Sequence, residues 1–379
     1  MLKFKQHQVS VIVPGLQEPE FSHQLLNRTS ILKFFTRGSR IDSEIVTAEQ
    51  GVLEALGHKS IKPHAIPTAV CTAVADTGEE HTQVTRADPV HIHAEPDHAR
   101  LHAAGVLQLT TDEENALLES LNTHFADRGL EFFKGQQSRW YLTGMDGSQL
   151  RTEPLSQVSD RNVVAFMKAD QQPLVWRQML TEVQMLLHEH PVNNQRMEDG
   201  LLPVNSLWCW GGHPVAEPLL PTATRVYADD AFCRGLARLS AFKTFPPAEA
   251  ALRLGQSSQI VCIRALENSL LAQSGSDNPF EDNAPWQTAT ANNSADDAAS
   301  AIQQEIDGLE QFMRIAQRKL LLGHIKHIDL IACNAIVYRL RRRDMIRFWS
   351  MPWSAARRNT RRDNLQANRN RDEKTGMPA

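Results

Sequence analysis

A chain of 379 residues can bury a sizeable core and carry two domains, and its 41% hydrophobic content excludes wholesale disorder. The formal net charge of -4 at pH 7 is ordinary for a soluble protein. No apolar stretch approaches the roughly 20 residues of a membrane-spanning helix, so no membrane partner is expected. The five cysteines are odd in number and lack CxxC spacing, which argues against a disulfide framework or zinc knuckle and predicts a cytoplasmic location.

The first 79 residues are expected to be the first part of an α/β core. Residues 9–13 predict a short buried strand, and residues 18–37 and 45–56 carry apolar side chains at helical spacing. Residues 73–86 are polar and are expected to form a loop that leaves this core.

Residues 80–155 predict a small α+β domain inserted into the core. Thr111 offers an N-cap oxygen, and Glu114 stands at the capping-box position of the helix that follows. Gly129 ends this helix, and the next two apolar runs predict a hairpin.

A helix is predicted at residues 175–187, and Pro191 cannot continue it. Residues 203–210 predict a buried strand of the core sheet. In α/β sheets, ligands bind beyond the carboxyl ends of strands, so the clustered polar and aromatic residues indicate a binding cleft. Its candidates are Asn193, Arg196, Asn205, Trp208, Trp210, Gly211 and Gly212. The alternative is an ordinary turn between a helix and a strand.

Strands and helices alternate along the rest of the chain, at 225–227, 231–242, 259–264, 302–322 and 325–333. This alternation predicts a layered α/β fold with a mostly parallel sheet. The core is therefore expected to comprise residues 1–79 and 156–350, with a flexible excursion at 273–300.

Residues 351–379 predict a disordered basic tail. From Arg339 onward the chain carries 12 Lys and Arg against 4 Asp and Glu. A nucleic-acid partner is possible only through this tail, and a solvated tail without a partner is the alternative.

Further side chains are candidates for binding or catalysis. Arg139, Arg196 and Arg234 could bind an anion, because guanidinium pairs with phosphate or carboxylate, although buried ion pairing competes with that interpretation. His190 is either a site residue or a helix-end cap. Asp230 either joins the cleft or favours the N-terminus of the helix that follows.

The densest metal-capable cluster includes Asp88, His91 and His93. His91 and His93 would project to one face of a strand and could share a metal ion. Surface histidines beside a hinge are the alternative, and no metal is expected here.

The chain contains no GxGxxG, Walker loop or GxSxG motif, which disfavours dinucleotide-binding, P-loop and α/β-hydrolase proteins. The segments FFTRGSR, LTTDEENALLESLNTHFADRGLEFFKGQQSRWYLTG, HPVNNQRMEDGLLPVNSLWCWGG and DDAFCRGLARLSA occur in an informative order. They resemble the archaeal-type cofactor-independent phosphoglycerate mutases of the alkaline-phosphatase superfamily. The DPVH segment and the run from Gln184 to Asn193 resemble the bacterial RpfE-type regulatory or phosphoglycerate mutase-like group. The resemblance implies a three-layer α/β/α core with the small domain inserted.

The chain departs from this family where the resemblance implies two divalent metals and a Ser or Thr nucleophile. Residues 13–16 contain no Asp, and Thr47 is the residue that could stand in for the nucleophile. The ligand loop corresponds best to residues 264–268, where Glu267 is the only acid. The last ligand segment corresponds to residues 333–335, which contain neither Asp nor His.

These departures favour a catalytically decayed protein that binds a ligand or partner and acts in regulation. A small phosphorylated or carboxylated ligand, or an unknown protein partner, is expected, with no cofactor. The alternative is an active mutase or phosphatase with a relocated divalent-metal site. Whether the chain is an enzyme stays open at this point.

Overall fold

The computed structural model describes residues 7–346, apart from 17–24, 26–27, 59–60, 95–98, 160–162, 164–165, 167–171, 216–223, 241 and 265–286. The predicted tail at 351–379 and most of the predicted excursion before residue 287 lie outside the described residues.

The elements form two units, the core unit and the second unit. The core unit begins with β1 (His7–Ile12), α1 (Thr29–Arg37), β2 (Ser39–Asp42), α2 (Ala48–Ala55) and α3 (Thr68–Thr77). The second unit contains β3 (Thr85–Ala94), β4 (Ala99–His102), α4 (Ala104–Leu107), α5 (Thr111–Phe125), β5 (Glu131–Lys134), β6 (Trp140–Thr143), α6 (Leu155–Val158), α7 (Leu174–His188), α8 (Pro191–Glu198) and β7 (Ser206–Trp210). The core unit resumes with β8 (Thr224–Tyr227), α9 (Ala231–Leu239), β9 (Thr244–Phe245), β10 (Ser258–Cys262), α10 (Gln287–Leu321), β11 (Ile325–Ile331), β12 (Ile336–Arg341) and α11 (Arg342–Ile346). Short 3₁₀ helices lie at Pro63–Ala65, Ala126–Arg128, Gly147–Gln149 and Pro247–Arg253.

The core unit is a seven-stranded sheet in the order β2-β12-β11-β1-β10-β8-β9. Strand β1 pairs in parallel with β10 and β11, and β8 continues the parallel set, whereas β12 and β2 pair antiparallel at one edge. Val9 and Val11 face a cluster shared with α1 and α10, and Ile12 faces a cluster shared with α2 and α9. Because alternate residues of a strand point to opposite faces, helices cover both faces. The predicted three-layer α/β/α class with a mostly parallel sheet is confirmed.

The second unit is an antiparallel sheet whose central strand is β3, paired with β4, β6 and β7. The expectation that residues 203–210 form a strand of the core sheet is wrong, because Val90 pairs with Ser206 and Arg86 with Trp210. A buried apolar run signals a strand but does not name its partner. The pairing joins residues on both sides of the predicted domain boundary at residue 155.

Three local expectations are corrected. The predicted loop at 73–86 overlaps helix α3, whose side chains from Thr68 to Val74 are all buried. The expected flexible excursion is helical from Gln287 onward, where the segment up to Ser300 has no Gly or Pro and many helix-favouring alanines. The capping box of α5 uses Thr110 and Glu113, one residue before the predicted pair.

Helix α3 connects the two units. On one side it crosses α9 so closely that a Cβ on Gly235 would lie 1.7 Å from the carbonyl oxygen of Cys71. On the other side Ala69 and Ala73 pack with Val84 and Tyr141 of the second unit. Among the described helices, none has the length and apolar character needed to cross a membrane.

Candidate ligand-binding cleft

A cleft of about 1480 Å³ lies between the two units, at the carboxyl ends of β8 and β10. Parallel strands place the loops that follow them at one edge, which is where α/β proteins bind ligands. Charged side chains converge here from both units, namely Glu49, Asp229, Asp230, Arg234 and Arg264 from the core unit and Arg86, Asp88 and Arg139 from the second unit.

Asp230 stands at the junction between β8 and α9 and is the N-cap residue of α9. Its Oδ1 accepts a hydrogen bond from the Cys233 backbone N–H at 3.0 Å, so the capping interpretation holds. Its Oδ2 is buried and has no hydrogen-bond partner among the described residues. Arg234, one turn later, is exposed and donates to the carbonyl oxygen of Asp229. Asp230 therefore both caps the helix and lines the cleft.

The N-terminus of α2 brings Thr47 and Glu49 to the same edge. Thr47 is fully buried, and its Oγ1 accepts from the Gln50 backbone N–H in a capping box. Glu49 is also buried, and its Oε1 lies 2.6 Å from Nη1 of Arg264, which follows β10. The Oε2 atom of Glu49 has no hydrogen-bond partner in the described part of the chain.

Two thiols lie beside Asp230. Side-chain ligand atoms of Asp230, Cys233 and Cys262 all lie within 4.8 Å of one another, and no other group of this kind occurs among the described residues. Both cysteines are buried and unbridged. The hydrogen bond to Cys262, followed by burial, raises the pKa of the Cys233 thiol well above its usual value.

Asp88 lies on the second-unit wall and is fully engaged. Its Oδ1 accepts from Nε and Nη2 of Arg86, at 3.1 and 2.5 Å, and its Oδ2 accepts from Trp210 Nε1 at 2.7 Å. The Arg86 guanidinium also lies 5.2 Å from the Trp210 ring centroid and 5.4 Å from that of Tyr141. Asp88 therefore binds an arginine and a tryptophan.

Arg139 forms a bidentate ion pair with Asp76, with Nε–Oδ2 and Nη2–Oδ1 distances of 2.8 and 2.7 Å. The Tyr141 hydroxyl donates to the same carboxylate at 2.8 Å. Burial opposes ionisation of Asp76, but the hydrogen bonds from Arg139 and Tyr141 hold its pKa below the usual range. The predicted anion-binding arginine thus already holds a carboxylate of the protein.

The predicted metal cluster separates in the structure. His91 and His93 are stacked, with ring centroids 6.3 Å apart, but Asp88 belongs to the opposite face of β3. Nδ1 of His91 lies 2.8 Å from the Pro203 carbonyl oxygen, and burial lowers the pKa of His91. These three residues do not form a metal-capable group.

Four other residues were predicted to line the cleft but do not, and they make hydrogen bonds within the second unit instead: His190, Asn193, Arg196 and Asn205. His190 caps α8 and contacts Ser120 at 2.9 Å, and Arg196 donates to Glu113 and to the carbonyls of Leu107 and Leu202. The Asn193 side-chain amide is hydrogen-bonded to backbone groups of Leu187 and Val204. The Asn205 side-chain amide is hydrogen-bonded to the backbone N–H and carbonyl of Ile92.

Of the predicted residues in and after β7, some line the cleft and others pack inside the protein. Trp210 lines the cleft, whereas the Trp208 indole donates to the carbonyl of Glu153. The Gly211 carbonyl accepts from the Ala69 N–H, and a Cβ on Gly212 would lie 2.5 Å from Thr85 Oγ1. Both glycines therefore permit close packing against α3 and β3.

Glu49, Arg86, Cys233 and Cys262 line the cleft or adjoin it, and the sequence motifs did not single them out. Glu49 could have been identified from the sequence by its position just after the N-cap of a helix that follows a core strand. The two cysteines had no such signal, because they come from α9 and β10, which are separate in sequence.

Comparison with known proteins gives a distant relationship. No protein-family description matches the chain. It is 24% identical over 117 residues to the 2,3-bisphosphoglycerate-independent phosphoglycerate mutase of Methanosarcina barkeri, a segment that covers 30% of this chain and 29% of that protein. The corresponding protein of Methanosarcina mazei is 20% identical over 117 residues, 30% of each chain. The matched segment thus spans less than a third of these relatives.

Two solved structures align with most of this chain at low sequence identity and low TM-score. The PH0037 protein from Pyrococcus horikoshii superposes with a TM-score of 0.45 at 12% identity, over 86% of this chain and 82% of that one. The cofactor-independent phosphoglycerate mutase from Thermoplasma acidophilum gives a TM-score of 0.37 at 16% identity, over 89% and 90%. The sequence matches to the Methanosarcina proteins make the chain a distant homologue of proteins named phosphoglycerate mutase.

Proposed function

We propose that this protein is a non-catalytic, phosphoglycerate mutase-like protein that binds a small anionic ligand in the cleft and acts in regulation. The single observation that carries the proposal is the state of the N-terminus of α2. Thr47, the residue that could stand in for the nucleophile, is fully buried in a capping box, and the neighbouring Glu49 is paired with Arg264. The Thr47 hydroxyl oxygen is engaged with the Gln50 backbone N–H, and Thr47 does not belong to the residues that line the cleft.

The ligand class follows from the arginines of the cleft. Arg86, Arg139 and Arg264 are paired with Asp88, Asp76 and Glu49, so among the arginines that line the cleft the exposed Arg234 is the one offered to a ligand. Guanidinium groups bind phosphate and carboxylate groups through paired hydrogen bonds, so a small phosphorylated or carboxylated molecule fits this surface. The resemblance to the RpfE-type group supports the regulatory role, and the five unbridged cysteines support a cytoplasmic location.

The test combines a mutase assay with a binding assay on the full chain. We expect 3-phosphoglycerate to remain unconverted, as followed by ³¹P NMR, when protein and Mn²⁺ are added. We expect 3-phosphoglycerate or citrate to raise the melting temperature, because a ligand that binds only the folded state stabilises it. Arg234→Ala should lose this shift, whereas Arg177→Ala, on the exposed face of α7, should keep it.

Conversion to 2-phosphoglycerate would contradict the proposal and favour an active enzyme with a relocated metal site. The absence of a thermal shift with either anion would contradict the ligand class. A protein partner, including one that binds the basic tail, stays a prediction.

A further inference from the structure

We propose that Cys233, Cys262 and Asp230 bind a single thiophilic divalent cation of the Zn²⁺ class at the floor of the cleft. Asp230 also lines the cleft of the proposed function, but the metal site is tested separately from it, because cation uptake is measured without an anionic ligand. It differs from the two-metal centre that the resemblance implies, since that centre is built from other segments of the chain.

The fold brings the three ligands together from two neighbouring elements. Asp230 and Cys233 are three residues apart across the first turn of α9, which places them on one side of that helix. Cys262 is the last residue of β10, and β10 pairs with β8, the strand that leads into Asp230. All three ligand atoms lie within 4.8 Å of one another, so a small change in side-chain torsions would bring them around one ion.

Two buried carboxylate oxygens at this place have no hydrogen-bond donor among the described residues. One is Oδ2 of Asp230, and the other is Oε2 of Glu49. Glu49 is 3% exposed, and its other oxygen is paired with Arg264. A buried anionic oxygen without a partner is unfavourable, and a bound cation would remove that cost.

The ligand types decide which cation fits. Two sulfur ligands favour Zn²⁺ or Co²⁺ over Mg²⁺ and Mn²⁺, which prefer oxygen. Three protein ligands leave the fourth position of a tetrahedral Zn²⁺ open. Asp230 lines the cleft, so the open position is available to a molecule in the cleft.

The experiment uses the full chain, purified under reducing conditions and titrated with Co²⁺, which reports thiolate coordination by charge-transfer absorption in the near ultraviolet. We expect one Co²⁺ per chain and displacement by one equivalent of Zn²⁺. Asp230→Asn keeps the cap, because Asn is an equally good N-cap residue, and should weaken binding roughly tenfold or more. Asp127→Asn, an equivalent change at an exposed position of the second unit that does not line the cleft, should bind as the wild type does.

Cysteine variants locate the sulfur ligands. Cys233→Ser and Cys262→Ser should abolish the absorption band, and Cys209→Ser, at a buried cysteine in β7, should retain it. A band that survives either of the first two substitutions, or no Co²⁺ uptake by the wild type, would overturn the proposal.

A second measurement needs no variant, in case a substitution disturbs folding. In a urea concentration below the unfolding transition, Zn²⁺ should slow alkylation of Cys233 and Cys262 but leave the rate at Cys209 unchanged, as followed by mass spectrometry. Equal rates at Cys233 and Cys262 with and without Zn²⁺ would also overturn the proposal.

Discussion

Asp76 and Asp88 are carboxylates buried where the core unit meets the second unit, and each is held by an arginine. The side chain of Asp88 is 2% exposed, and that of Arg86 is 8% exposed. A buried charge is tolerated when it is paired and hydrogen-bonded, and it becomes strongly unfavourable when its partner is removed. Removing either member of such a pair should therefore destabilise the folded protein, because the other member is left buried without its counter-charge.

Asp88→Asn should lower the free energy of unfolding by about 3 kcal/mol, because it leaves the Arg86 guanidinium buried without its counter-charge. Urea unfolding at neutral pH measures this loss. Glu119→Gln, an exposed change on α5, is the matched control and should change stability by less than about 0.5 kcal/mol. Equal stabilities of the two variants would show that the Arg86–Asp88 pair is not a source of stability.

Asp76→Asn should make the protein less stable at pH 7 and almost equally stable in acid. The Arg139 and Tyr141 hydrogen bonds lower the folded-state pKa of Asp76, whereas the unfolded carboxyl ionises at about 3.9. A depressed carboxyl pKa contributes stability that is present above the unfolded pKa and is lost as pH falls through the folded pKa. The difference between wild type and variant should therefore shrink below about pH 4. Chemical unfolding between pH 3 and 7 measures it, with exposed Asp127→Asn as control; a constant difference would contradict the linkage.

At the scale of elements, the crossing of α3 and α9 shows how one small residue determines helix packing. Gly235 has no Cβ, and an added Cβ would lie 1.7 Å from the carbonyl oxygen of Cys71 and 2.5 Å from its carbon. Backbone atoms cannot move aside as a flexible side chain can, so any larger residue must separate the helices.

Gly235→Ala should lower the free energy of unfolding by about 1–3 kcal/mol or more, because the α3–α9 interface must open. Gly308→Ala is the matched control on α10, where a Cβ meets nothing within 4 Å. Since alanine favours a helix over glycine, the control should gain about 0.5–1 kcal/mol. Thermal unfolding of both variants gives the comparison, and a similar effect of the two substitutions would contradict the close crossing.

At the scale of the whole molecule, the second unit is completed by residues far along the chain. Strand β7 pairs with the long strand β3 along one of its edges, in antiparallel orientation. Helix α7 contributes Trp176, Met179 and Val183 to the cluster that contains Leu117 and Trp140. The predicted domain at 80–155 would lack this strand and this helix.

A fragment of residues 80–212 should unfold cooperatively, whereas a fragment of residues 80–155 should not. The shorter fragment leaves one edge of β3 unpaired and the apolar face of α5 uncovered. Urea unfolding followed by tryptophan fluorescence distinguishes the two fragments. A cooperative transition in the shorter one would show that the unit is complete at residue 155.

The sequence determined the class of fold and several individual elements. Strand β1, helices α5 and α7, and the core strand β11 follow from apolar periodicity and from capping and breaking residues, which act over a few neighbours. Helix α3 escaped prediction because it is rich in Thr and Val and buried along most of its length, so it shows no polar face.

Only the tertiary structure decided which residues share a site. Trp210 and Asp230 were found from sequence and do line the cleft, but Asn193, Arg196 and Asn205 are occupied in hydrogen bonds within the second unit. Sequence patterns report the local geometry of helices and strands, whereas a cleft is formed by side chains from elements far apart in the chain. The assignment of β7 to the second sheet, and the meeting of Cys233 with Cys262, depend on long-range strand pairing that no local pattern specifies.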